Sequence, residues 1–317
     1  MKAKRISTVM AALAMMVFIL GLYPAEPAAK EKYEERFDKT YALAQDGKVS
    51  LVNISGDVDV ESWDKAEVKI EAVKVSRASS LERARENAEK VTIEVTEEGN
   101  MLRIETQYPK MRFKSLNVSV DYHLFIPDRA AIKVKSVSGD VTLQKIGGEA
   151  EVDVVSGDVE VMKAAKGLDC KSVSGDIELQ GITGDAFLKT VSGDITIEQL
   201  VGSVEAETIS GDLELSGVSK AKLVKANVLS GSITYQGSIS PEGKYELKSH
   251  SGEIEMLLPS DSAFELEAKT FSGDIESDFE IVVTGKFSKK KIQGTVNGGG
   301  AAVILSTFSG DISLKKR

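Results

Sequence analysis

Val137-Ser138-Gly139-Asp140-Val141, Val155-Ser156-Gly157-Asp158-Val159, Val173-Ser174-Gly175-Asp176-Ile177, Val191-Ser192-Gly193-Asp194-Ile195 and Ile209-Ser210-Gly211-Asp212-Leu213 are near-copies of one phrase, and their glycines fall 18 residues apart each time. A fixed period in this range marks a stacked-repeat architecture and outranks local propensity. Within one unit, Val141 and Leu143 alternate with Asp140, Thr142 and Gln144. Ala150, Val152 and Val154 then alternate with Glu149, Glu151 and Asp153. Period-two alternation predicts β-strands with one face buried and one wet.

Gly147-Gly148 separates the two strands, with Gly167, Gly184 and Gly202 at matching places. Each unit therefore reads as two strands joined at glycine corners, where glycine accepts positive φ. Strands this short bury their apolar faces only by stacking, about 4.8 Å per unit. The expectation is an all-β, single-chain β-solenoid of 18–21-residue coils, right-handed by the usual chirality of parallel crossovers. The corners leave open a two-sided or a three-sided cross-section. Beyond Gly211 the step lengthens to Gly231, Gly252 and Gly273, and then jumps 37 residues to Gly310. That jump predicts either two coils or one coil with an inserted hairpin around 281–291, and loops such as Ser238 to Lys244 account for the longer coils.

Outward from the ladder, residues 1–29 read as an export segment. Lys2, Lys4 and Arg5 precede an apolar run from Val9 to Leu22, followed by small residues and prolines at Pro24 to Ala29. The run is shorter than the about 20 residues of a membrane span, so a cleaved signal peptide is the first reading and an uncleaved anchor the second. No cysteine follows the run, which argues against lipid attachment there. Residues 30–47 read as a linker, 48–130 as an irregular β cap, and 131–317 as the solenoid repeats. The cap holds an early copy of the phrase, Ile54-Ser55-Gly56-Asp57-Val58, and a short exposed helix over Ser80 to Lys90, rich in helix formers and led by serine caps. Its expected role is to protect the unpaired edges of the first coil.

The formal net charge is −9, and removing residues 1–29 takes away Lys2, Lys4, Arg5 and Glu26, leaving −11. So acidic a chain argues against nucleic acid or anionic lipid as partner. The single cysteine, Cys170, falls on an inward strand position and reads as a small core residue.

Three stretches together resemble the bacterial toast-rack, or adhesin-like, β-strand-repeat family, a domain of unknown function. They are Val52-Asn53-Ile54-Ser55-Gly56-Asp57-Val58 with Trp63-Asp64-Lys65-Ala66-Glu67-Val68; Val120-Asp121-Tyr122-His123-Leu124-Phe125-Ile126-Pro127; and the closing Gly298-Gly299-Gly300-Ala301 with Thr307-Phe308-Ser309-Gly310-Asp311-Ile312. The resemblance covers nearly everything after residue 29 and implies the fold. It implies no common activity, although some members take part in envelope stress sensing.

Two columns are the candidate binding residues. Asp140, Asp158, Asp176, Asp194 and Asp212 stack at about 4.8 Å and either cap the Ser-Gly corners or share a cation. Capping is the favoured reading, because calcium takes six to eight oxygens and the column offers carboxylates from one side only. Val137, Val155, Val173, Val191 and Ile209, continued by Leu229, His250, Phe271 and Phe308, form an outward apolar ridge if alternation is kept, or tuck between coils if the chain shifts parity at the corner; the tucked reading is favoured, because corners commonly carry such bulges. Gly139, Gly157, Gly175, Gly193 and Gly211 are the structural turns.

A polysaccharide-active β-helix needs convergent carboxylates, cationic support and aromatic platforms. No arginine lies between Arg129 and Arg317, Phe187 is the aromatic of the regular coils, and His123 and His250 are far apart. The sequence therefore predicts no catalytic residues, no metal and no cofactor. The first expectation is a non-enzymatic, exported module of the periplasm or cell surface, binding an envelope or extracellular protein or glycan. A self-assembling or stress-related envelope scaffold is second and an enzyme third; oligomeric state stays open.

Overall fold

The computed structural model describes residues 30–109, 116–283, 288 and 290–317. The export segment expected at 1–29 lies outside the described residues. Among these there are 27 strands and one helix. The strands form two sheets, one of 13 and one of 14. Each coil gives one strand to each sheet, so the solenoid is two-sided. Three successive coils make this concrete: Ala150–Ser156 pairs in parallel with Ala131–Ser138 and Leu168–Ser174, while Val159–Ala164 pairs with Val141–Ile146 and Ile177–Thr183. The inward residues of both sheets, among them Val152, Cys170, Leu188, Val161, Leu179 and Ile197, are almost completely buried in one continuous core.

The early copy of the phrase is a full coil: Lys48–Ser55 pairs with Ala131–Ser138, and Val58–Trp63 pairs with Val141–Ile146. Residues before the first coil and between it and the next build the N-terminal end. Val118–Pro127, Glu67–Ala78 and Glu31–Ala42 extend the 13-stranded sheet in that order, and Met101–Gln107 and Thr92–Glu98 extend the other. The helix, Leu81–Glu89, starts at Ser80, whose side chain accepts the Arg83 N–H, and it buries Ala84 and Ala88.

The linker expected at 30–47 is instead largely a strand, Glu31–Ala42, paired antiparallel with Glu67–Ala78 along its whole length. Its partly buried residues include Tyr33, Phe37 and Tyr41, four apart, with Glu35 and Lys39 between them on the same face. That spacing hides a period of two. Such a charged strand is also a suitable edge, because it discourages pairing with other chains. At the opposite end the outermost strands are only Ile275–Ser277 and Val282–Val283.

The 37-residue jump is one coil plus a hairpin. Phe264–Ser272 and Ile275–Ser277 form the coil; Lys291–Val296 then runs antiparallel to Phe264–Ser272 and pairs with Val282–Val283. The chain next re-enters the stack: Ala301–Ser309 and Ile312–Lys316 sit between the coil at 244–258 and the coil at 264–277. The last coil in sequence is thus the last but one in space, and both of its strands are paired on both sides.

Glycine serves two purposes at the corners. At Gly175, φ is +141°, and a Cβ there would lie 2.6 Å from the carbonyl carbon of Gly157 in the preceding coil, and closer still to its oxygen. Gly147 and Gly148, expected to turn through positive φ, do not. They are needed because a Cβ would overlap the carbonyls of Asp128 and Ala130. The left-handed residue of that half-coil is Lys145, and Lys163, Gly181, Gln199 and Gly217 repeat it at the same 18-residue step with φ between 57° and 70°.

Candidate interaction surface

Along the Ser-Gly-Asp corner three columns of side chains run parallel to the stack. The innermost is buried and mostly polar. Thr190, Thr208, Ser249, Thr270 and Thr307 donate their hydroxyls to the carbonyls of Gly175, Gly193, Gly231, Gly310 and Gly252, at 2.9–3.4 Å. At the N-terminal end Asn53 takes the same place, its amide donating to the carbonyls of Ser55, Gly56 and Val120. In these coils the polar residue at an inward position satisfies a corner carbonyl, whereas Val154 and Val228 hold the same position without a donor and the hydroxyls of Ser136 and Ser172 are buried with no partner among the described residues.

The aspartates cap, but across coils instead of within their own corner. Oδ1 of Asp140 accepts the N–H of Asp158 at 2.9 Å, and Asp158, Asp176 and Asp194 repeat the bond to Asp176, Asp194 and Asp212. Asp121 and Asp57 begin the series, Asp212 passes it to Ser232, and Asp311 caps Asp274. A stack of parallel coils places each N–H beside the preceding carboxylate, so one residue type per coil suffices. Among the described residues no three His, Cys, Asp or Glu side chains are grouped to hold a metal ion.

The apolar column does not tuck between the coils as expected but points outward, because the strand keeps strict alternation past Ser136, Val154 and Ser172. Val137, Val155, Val173, Val191 and Ile209 are exposed, from 39% at Val191 to 48%. Ile54 extends the ridge at one end; Leu229, His250, Phe308 and Phe271 extend it at the other, in that spatial order. Phe271 and Phe308 stack with centroids 4.7 Å apart and planes 7° from parallel, and His250 stacks on Phe308 at 5.0 Å. Phe271 is 73% exposed.

Beside the ridge lie two grooves on the outer face of the 14-stranded sheet. One, of about 440 Å³, is bounded by Ile54, Val137, Val155 and Val173 together with Lys135 and Lys171. The other, of about 740 Å³, is bounded by Ile209, Leu229, His250, Phe271 and Phe308 together with Lys189, Lys248 and Lys269. This flank, two residues before the ridge, was not singled out in the sequence; it mixes Lys135, Lys171, Lys189, Lys248 and Lys269 with Asp153, Glu207, Asn227 and Ser306. Lys135 pairs with Asp153 at 2.8 Å, which raises its pKa, and Lys171 pairs with Asp169, raising its own.

His123 and His250 stand on different sheets. His123 stacks on Phe125 at 4.4 Å, and Trp63 stacks on the same ring while its indole N–H is held by the Glu67 carbonyl. Cys170 is fully buried and burial pushes its thiol pKa far up, so it is unreactive. Tyr108 and Tyr122 are pushed up to about 12 by burial; the Tyr122 hydroxyl is 2.6 Å from Thr106 Oγ1. No helix among the described residues is long and apolar enough to cross a membrane.

Fold and surface together define a β-solenoid repeat protein with a long exposed ridge. The chain belongs to the Toastrack family of unknown function, DUF4097, whose model matches residues 47–315. It is similar to solved structures of a proposed adhesin from Parabacteroides distasonis ATCC 8503, at 12% identity over 89% of this chain and 97% of that one with a TM-score of 0.43. It is also similar to a proposed adhesin from Bacteroides fragilis NCTC 9343, at 13% identity over 88% and 97% with a TM-score of 0.42. A proposed lipid-binding protein from P. distasonis ATCC 8503 is similar at 13% identity over 89% and 96%, with a TM-score of 0.38. No curated protein matches significantly.

Proposed function

We propose that this chain is a non-enzymatic, exported interaction module of the cell envelope, and that the ridge from Ile54 to Phe271 is its contact surface. The observation that carries the reading is the unbroken outward column of apolar and aromatic side chains, one per coil, on a rigid two-sheet scaffold. Exposed apolar residues scattered singly need no explanation, but a contiguous line of them marks a place where another molecule sits. The blunted strand edges at both ends disfavour end-to-end assembly, so contact along the side is the better reading. Residues 1–29 supply the export signal in this reading.

The test compares thiol labelling of Val173→Cys, on the ridge, with Glu178→Cys, exposed on the opposite sheet. In the purified protein both sites should react at similar rates; in intact exporting cells the ridge thiol should react several-fold more slowly. Buried Cys170 gives no background. Equal shielding of both sites in cells would refute the ridge as the contact surface.

A further inference from the structure

We infer that like charge holds open the gap filled by the coil at 301–316, so that this coil inserts after its two neighbours have formed and closes the stack. This does not depend on what the ridge binds. It follows from the register of three coils.

Along the chain the coil at 244–258 is followed at once by the coil at 264–277, with Pro259 to Ala263 between them. In space, Ala301–Ser309 and Ile312–Lys316 separate the two. Connector length does not force this. Crossings between directly neighbouring coils take three residues at 165–167, four at 219–222 and six at 238–243, so the five at 259–263 suit direct contact equally well. Loop closure also favours the pairing nearest in sequence. The inward faces match too: direct closure sets Tyr245 beside Leu266, Leu247 beside Ala268 and Ile254 beside Ile275.

The outward faces do not match. Ile304 lies between Glu246 and Glu267, Ser306 between Lys248 and Lys269, and Ser313 between Glu255 and Glu276. Without these neutral residues, three like-charged pairs would stand directly opposite at about 4.8 Å, which destabilises strand pairing. Lys244 and Glu265, across Ala302, are the exception.

The inserted coil also supplies what its neighbours lack. Lys315 pairs with Glu255 at 2.9 Å, and that bond, together with the carboxylates of Asp278 and Glu276, raises the Lys315 pKa. Oδ1 of Asp311 caps the Asp274 N–H at 2.8 Å. At that corner the coil at 244–258 offers Glu253, which caps no backbone N–H among the described residues. Direct closure would therefore bring like charges together and leave a corner uncapped, and insertion removes both faults.

The test follows refolding of the full chain from urea under a mild oxidant, with Ser251→Cys and Ser272→Cys as reporter. In the folded protein Ser309 stands between these positions, which are about 9.6 Å apart across two strand spacings and beyond the about 6.8 Å that a disulfide spans. In a directly closed pair they are neighbours. With the natural charges the 251–272 disulfide, mapped by mass spectrometry, should form no more during refolding than in urea. Adding Glu267→Lys and Lys269→Glu makes both outward pairs on that sheet attractive. It should raise the yield several-fold and slow the return of native circular dichroism, leaving the melting temperature unchanged. Glu267→Gln with Lys269→Gln should fall between, and carries the test if the swapped chain does not fold. About 0.5 M salt, which screens the repulsion, should bring the natural chain towards that neutral variant. Equal yields from all three charge sets, or a swapped chain that refolds as fast as the natural one, would overturn the inference.

Discussion

Replacing Gly175 by alanine tests the argument that each corner is built against the one before it. Two costs separate cleanly. The φ of +141° lies in a region that side-chain-bearing residues rarely enter, at about 1–3 kcal/mol. The added Cβ would also sit 2.6 Å from the Gly157 carbonyl carbon, so the coils must part by several tenths of an ångström. Parting strains the Gly157 N–H to Ser174 bond at 3.1 Å and the Asp176 N–H to Asp158 bond at 2.9 Å, at about 1 kcal/mol each. The sum is about 3–5 kcal/mol, a large share of the about 5–15 kcal/mol that holds a domain folded. Gly99 is the control: its φ is +61°, but a Cβ there would meet nothing within 4 Å, so alanine should cost only about 1 kcal/mol. Urea and thermal unfolding followed by far-UV circular dichroism measure both. Gly175→Ala no more costly than Gly99→Ala would refute the close-approach argument.

Other substitutions read other parts of the structure. Asp176→Asn keeps an oxygen for the Asp194 N–H and should stay within about 0.5 kcal/mol of wild type, whereas Asp176→Ala should lose about 1 kcal/mol; neither melting temperature should respond to calcium. Lys163 carries a left-handed φ of 63° where a neighbouring coil has Gly181, so Lys163→Gly should stabilise by about 0.5–1 kcal/mol in the same unfolding assay. Glu246 is held by Lys244 and Lys248, and these bonds lower its pKa to about 2. Since the folded pKa is depressed, the stabilisation is present above about pH 4.5 and is lost as pH falls towards about 2. Glu246→Gln should therefore cost about 1 kcal/mol at pH 7 and nothing near pH 2, measured by urea unfolding at each pH.

The 18-residue step and the period-two alternation were enough to determine parallel stacking, inward and outward faces and the need for glycine at the Ser-Gly-Asp corner, because a repeat forces every unit into the same environment. What one coil does in such a stack the next must do, and that is legible one coil at a time. The sequence favoured ridge residues tucked between coils and the structure turns them out, since parity at a corner depends on backbone curvature that only neighbouring coils impose. It concealed the strand Glu31–Ala42, whose partly buried aromatics are spaced four apart and whose partner lies in another segment. It also ordered His250, Phe271 and Phe308 along the chain, whereas the stack places Phe308 between the other two. That aromatic end exists because the last coil re-enters the solenoid one place early, a choice made by long-range strand pairing and by no local signal. The cross-coil aspartate caps have the same origin: the residue type is written in each repeat, but its partner is supplied only when the next coil arrives.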